Sequence, residues 1–207
     1  MRKLAIYSPD SPLDSVVSKE PTAACKDCDL GARSSIVPCI PVEGTPGGWL
    51  VISDMPTAAD NTTRIPFSSS AGKTVRAILN QKAPQVPMAF VHAVGCATSE
   101  AEEDHADACR KYIKHAIERT NPKAILLLGS LAAYSVLGHG VAPDAATGGY
   151  AFIRNLLNSG KPLPIWFGPD PVNIARNRLV RAKFQRLVDK MVSWKWQRHH
   201  GAQIWAH

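Results

Sequence analysis

The sequence predicts a three-layer α/β/α domain around a central four-stranded parallel sheet. Two observations carry this expectation: four short runs that are apolar at nearly every position, and helical patterns that fall between them. Strands buried on both faces read as continuous apolar runs, and parallel neighbours need a crossover that is usually a helix. The runs are residues 48–53 (GWLVIS), 88–94 (MAFVHAV), 124–129 (AILLLG) and 164–168 (PIWFG), each bounded by Gly, Pro or Ser.

The first run ends in Ser53-Asp54, and a loop with Pro56 at its centre follows. Residues 64–79 then read RIPFSSSAGKTVRAIL, where a serine run precedes an apolar stretch able to open a helix. Gly72-Lys73-Thr74 suggests a phosphate-cradling loop. Such a loop needs a glycine five positions before Gly72, however, and Phe67 stands there. Phe67 instead offers a flat apolar face on a loop. After the second run, Ser99 and Glu102 have capping-box spacing, and Glu100, Glu103 and Asp104 add negative charge to the first turn. Cys109, Tyr112, Ile113, Ala116 and Ile117 share one face of that helix, which Pro122 stops. The last helix buries Val180, Phe184, Leu187, Val188 and Met191 and carries Lys183, Arg186 and Lys190 elsewhere.

A chain of 207 residues suits one domain with its own core. Residues 1–24 read as an N-terminal arm, 25–193 as the domain, and 194–207 as a basic, Trp-bearing tail able to stack on single-stranded nucleic acid. No run of eighteen apolar residues exists and the N-terminal apolar segment is too short for a secretion signal, so a cytoplasmic monomer without membrane contact is expected. Lys and Arg number 24 against 17 acidic residues, a net charge of +7 that favours a polyanion such as DNA.

Of the five cysteines, Cys25 and Cys28 form a C-x2-C, while Cys96 and Cys109 lie apart from them. A cytoplasmic chain keeps thiols reduced, so the set points to a metal centre, either zinc or an iron–sulfur cluster. Cys39 is left over. In an open parallel sheet ligands gather at the carboxyl ends of the strands, which places the chemistry in the loops after residues 53, 94, 129 and 168.

The order of these features resembles the uracil-DNA glycosylase superfamily, in particular its family-4 type with a [4Fe-4S] cluster. The resemblance runs from about Cys25 to about Val192. The family's G-E-A-P-G stands here as Ser53-Asp54-Met55-Pro56-Thr57, and its G-x-P-F-V-G-x-A-G as residues 64–72 with Pro66, Phe67, Ala71 and Gly72 kept. It implies that Cys25, Cys28, Cys96 and Cys109 hold the cluster, with zinc as the lesser alternative. It also implies that Phe67 stacks on an extruded base and that Asp54, with Asp60 as second candidate, acts near the sugar. Two positions depart from the family. His92 replaces the Asn that reads the base edge, and Gly168-Pro169-Asp170 replaces His-Pro-Ser. The expected function is a divergent DNA glycosylase that flips a uracil-like or modified pyrimidine and hydrolyses its N-glycosidic bond. In that reading His92 contacts the base, Gly168 opens room for a substituent, and Arg176, Arg178 and Arg181 meet phosphates. The alternatives are a DNA-binding member without catalysis and a transferase acting on a flipped base.

Overall fold

The computed structural model describes residues 25, 28–33, 40–98, 100–138, 148–153 and 162–194. In chain order the elements are α1 (Asp29–Arg33), β1 (Glu43–Gly44), β2 (Trp49–Ser53), α2 (Ala58–Thr63), α3 (Ser70–Lys82), β3 (Met88–His92), α4 (Glu103–Thr120), β4 (Ala124–Leu128), α5 (Ser130–Leu137), β5 (Tyr150–Ile153), β6 (Leu163–Gly168), α6 (Pro171–Arg176) and α7 (Arg178–Ser193). The arm 1–24, Cys39, Ser99 and the tail beyond Trp194 lie outside the described residues.

The four expected runs form the sheet's inner strands, paired in parallel in the order β3-β2-β4-β6. The sheet is wider than expected, because β1 and β5 add antiparallel edges on β3 and β6. β1 is only two residues long and β5 is half-exposed to exposed, so neither carries the continuous apolar signature of the inner four.

Every residue of β2, β3, β4 and β6 is buried, which requires cover on both faces. On one face Val75, Ile78 and Leu79 of α3, Ile174 of α6, and Phe184, Leu187, Val188 and Met191 of α7 pack against Val51, Leu126 and Trp166. On the other, Ile113, Ala116 and Ile117 of α4 and Ala132 and Ala133 of α5 pack against Ile52, Ile125 and Ile165. Trp194, first residue of the expected tail, is edge-on to Trp166 at 6.2 Å and so belongs to the packed domain.

The chain runs from β2 to its neighbour β3, then crosses back to place β4 on the opposite side of β2. The order therefore reverses between β2 and β4, the position where such sheets leave a crevice at their carboxyl ends. Gly129, at φ 114°, makes the abrupt turn from β4 into α5. No helix among the described residues is long and apolar enough to cross a membrane.

Candidate functional site

A cavity of about 390 Å³ opens at the carboxyl ends of the strands, within the usual range for small-ligand sites of roughly 300–1,000 Å³. Asp54, Phe67, His92 and Asp170 line it, and Met55, Pro56, Ala71 and Val172 supply apolar wall. The loops after β2, β3 and β6 thus meet as the carboxyl-end rule requires.

Asp60, 1 % exposed, organises the loop that carries Phe67. One carboxylate oxygen accepts from the Thr57 amide at 2.8 Å and hydroxyl at 2.9 Å, closing a capping box on α2. The other accepts from the Ser68 amide at 2.6 Å, the Ser68 hydroxyl at 2.9 Å and the Ser69 amide at 3.2 Å. Burial alone raises its pKa, but these hydrogen bonds from Thr57 and Ser68 outweigh it and hold the carboxyl below its ordinary range. Five donors leave Asp60 occupied as an anchor. What it anchors is strained: Phe67 sits at φ 58°, a left-handed conformation that a bulky residue adopts only under constraint. Gly72 is part of that constraint, since a Cβ there would collide with the Phe67 backbone.

His92 ends β3 in register with Ser53 of β2, and its Nδ1 lies 2.7 Å from the Ser53 hydroxyl. Its ring is stacked on Phe67, 10° between planes and 5.3 Å between centroids. Phe67 is only 1 % exposed and also packs on Phe90, so the face expected to be open for a base is covered by His92. Burial, partly countered by the Asp60 charge and aided by Arg76, pushes the imidazole pKa down to about 4, so it is neutral at pH 7. Nε2 stands 3.7 Å from Asp60 Oδ2 and has no hydrogen-bond partner.

Asp54 comes next after β2 and reaches across the switch point to α5. Its Oδ1 accepts from the Ala132 amide at 2.8 Å, with the Leu131 and Ser130 amides adding to the field of the helix N-terminus. Gly129 has no side chain because the Asp54 carboxylate lies where its Cβ would be. Burial first, and the Asp170 charge after the Ala132 hydrogen bond has pulled the other way, push the Asp54 carboxyl up to about 6. Asp170 caps α6, accepting from the Val172 and Asn173 amides at 2.9 and 3.0 Å. Gly168 corrects an expectation: it is not in the cavity wall, and a Cβ there would meet Leu128 at 2.7 Å and Leu187 at 3.3 Å. Its room is core room, reserved for side chains beneath the sheet.

Of the four cysteines expected to act together, Cys25 and Cys109 are buried and Cys28 and Cys96 half-buried, and the other three lie within electrostatic reach of Cys96. Burial and then the charges of Cys109, Cys28 and Cys25 push the Cys96 thiol up to about 12, with Arg64 acting the other way. A tetrahedral zinc with bonds of about 2.3 Å holds its sulfurs about 3.8 Å apart. Among the described residues no three of these sulfurs lie within 4.8 Å of one another; the one metal-ligand group that close is Cys28, Asp29 and His105. In that group the His105 Nδ1 already accepts from the Glu102 amide at 2.8 Å, leaving Nε2 to donate to Asp29 at 2.7 Å. Both ring nitrogens are thus spent, Nδ1 in capping α4 and Nε2 in tying α1 to it. Of the three arginines expected at phosphates, Arg176 and Arg178 are exposed, whereas Arg181 donates to the carbonyls of Ile174 and Ala175. Arg181 closes the end of α6.

Ser53, Thr57 and Asp170 also line the cavity, although the motifs that contain them assigned them no role. Their signals were present, in a T-x-x-D capping pattern at residues 57–60 and in two strand ends that place Ser53 opposite His92.

The fold and the site define an α/β protein with a small-ligand cavity at the switch point of a doubly wound sheet. The family model of the Uracil DNA glycosylase superfamily matches residues 46–193, and the chain belongs to that superfamily. No curated protein matches the chain.

Proposed function

We propose that the protein is a divergent DNA glycosylase, which flips a nucleotide into the cavity and hydrolyses its N-glycosidic bond with Asp54 beside the sugar. The observation that carries this reading is the Asp54 carboxylate in the cavity wall, steadied by the N-terminus of α5. Breaking the bond develops positive charge on the sugar, and an ionised carboxylate there offsets it and orients the attacking water. The apolar walls of Met55, Pro56, Ala71 and Val172 suit a ring. Exposed Arg176 and Arg178, on the helices that follow Asp170, meet the phosphates.

Single- and double-stranded oligonucleotides carrying uracil or 5-substituted pyrimidines are the test. Abasic product is expected on at least one, with a rate that rises as Asp54 ionises through about pH 6. Asp54→Asn should slow it at least a hundredfold, as loss of about 3 kcal/mol of charge stabilisation implies. No abasic product on any substrate removes the enzyme claim.

In the same reading Cys25, Cys28, Cys96 and Cys109 hold an iron–sulfur cluster with a structural role. The donor set that supports this is four cysteine sulfurs, Cys96 lying within electrostatic reach of the other three. Such a cluster would cross-link the segment before β1 to α4. Protein purified without oxygen should be coloured, and Cys96→Ser should lose both the colour and part of the thermal stability; a colourless wild type with bound zinc would overturn this.

A second reading is favoured by the Phe67–His92 stack, which leaves Phe67 no open face. The protein then binds DNA without turnover, and salt-dependent affinity unchanged by Asp54→Ala would support it.

A further inference from the structure

His92 is held in the cavity wall as a ligand would be held. Its imidazole lies 10° from parallel to Phe67 at 5.3 Å, tethered at Nδ1 by the Ser53 hydroxyl at 2.7 Å. The residue is 6 % exposed, and Nε2, without a hydrogen-bond partner, faces Asp60 Oδ2 at 3.7 Å. One stacking face and polar groups at the ring edge are the means by which sites hold an extruded base.

We propose that His92 is a specificity-determining residue of this site: its side chain occupies the face of Phe67 in place of a nucleobase, so a flat pyrimidine is refused there. The inference rests on the cavity being the base site. Filling the slot discriminates by exclusion, which adds to any preference set by attractive contacts. It leaves a bound base the rest of the cavity, whose lining includes Asp54, Met55 and Val172. The surroundings of the imidazole also name what the slot accepts once vacated. A small planar ring is needed, with an acceptor toward the Ser53 hydroxyl and an N–H toward the Asp60 carboxylate. Imidazole and uracil both carry that pair.

The experiment uses the full chain in three forms: wild type, His92→Ala, and Ser53→Ala, which keeps the ring but removes its tether. Each is titrated with imidazole and with free uracil while the melting temperature is followed. Both rings should raise the melting temperature of His92→Ala in a dose-dependent way. Ser53→Ala should respond less, and wild type should need at least tenfold more ligand for the same shift. Equal responses from wild type and His92→Ala overturn the proposal, as does the absence of any response in both variants. Loss of a cooperative melt in both would assign His92 to the fold and overturn it too. Ring binding by His92→Ala with no abasic product from any form would leave the exclusion standing and remove hydrolysis alone.

Discussion

Asp54 is placed where two demands conflict, and the conflict is measurable. Its carboxyl takes up a proton at about pH 6 in the fold against an ordinary value of 3.8, so protonation favours the folded state. That contribution is complete below about pH 4 and is lost as pH rises through 6, leaving a buried charge that costs on the order of 3 kcal/mol. His92 has the opposite sign. Its pKa falls from 6.5 to about 4 on folding, so its contribution is complete above 6.5 and is lost as pH falls toward 4. In the wild type the two trends offset between pH 6.5 and 4. Asp54→Asn keeps an acceptor for the Ala132 amide but removes the charge. It should be more stable than wild type by about 1–3 kcal/mol at pH 7.5, equal to it near pH 4, and visibly acid-sensitive in between. Urea denaturation at several pH values measures all three. A variant less stable than wild type at pH 7.5 would mean that the carboxylate, as a cap, outweighs its desolvation.

At the scale of elements, the segment from α2 to the first turn of α3 works as one piece, because Asp60 bonds to both its ends and Gly72 lets the helix meet the Phe67 backbone. Alanine in place of glycine within a helix normally stabilises by about 1 kcal/mol. Gly72→Ala should do the reverse, destabilising by about 1–3 kcal/mol through overpacking against Phe67. Phe67→Ala should cost about 3–5 kcal/mol, as for any fully buried aromatic, whatever it does to base binding. Thermal melts of both variants decide, and a near-neutral Phe67→Ala would show its ring to be dispensable to the core. This segment also marks the limit of what the sequence discloses. The inner strands were legible because burial on both faces writes an unbroken apolar run. Helix α2, AADNTT, has no apolar stripe and stands on its capping box alone. β1 and β5 exist only through their partners at the sheet edges. The same distinction holds in the site: strand-end positions put Asp54 and His92 at the cavity wall, but the direction in which Gly168 spends its missing side chain depends on Leu128 and Leu187, far off in the chain.

At the scale of the whole molecule, charge is divided in a way that composition does not reveal. The chain carries +7, yet the charged residues lining the cavity are Asp54, Asp60 and Asp170, with no Lys or Arg among them. The positive charge lies elsewhere, much of it on α6 and α7, where Arg176, Arg178, Lys183, Arg186 and Lys190 are exposed. A polyanion is therefore attracted to α6 and α7, while whatever enters the cavity must be received by hydrogen bonds and apolar contact. Binding to DNA should weaken linearly in log[salt], and each arginine that meets a phosphate contributes about 0.9 to the slope on duplex DNA. Removing Arg176 or Arg178 should lower the slope by about 1 each, with similar effect on every sequence tested. Arg181→Ala provides the contrast, because its guanidinium is spent on the carbonyls that end α6. It should leave the slope unchanged and lower the melting temperature instead. Affinity measured between about 50 and 200 mM salt separates the two kinds of arginine. A slope that drops for Arg181→Ala but not for Arg176→Ala or Arg178→Ala would place the DNA path on another face and detach the cavity from it.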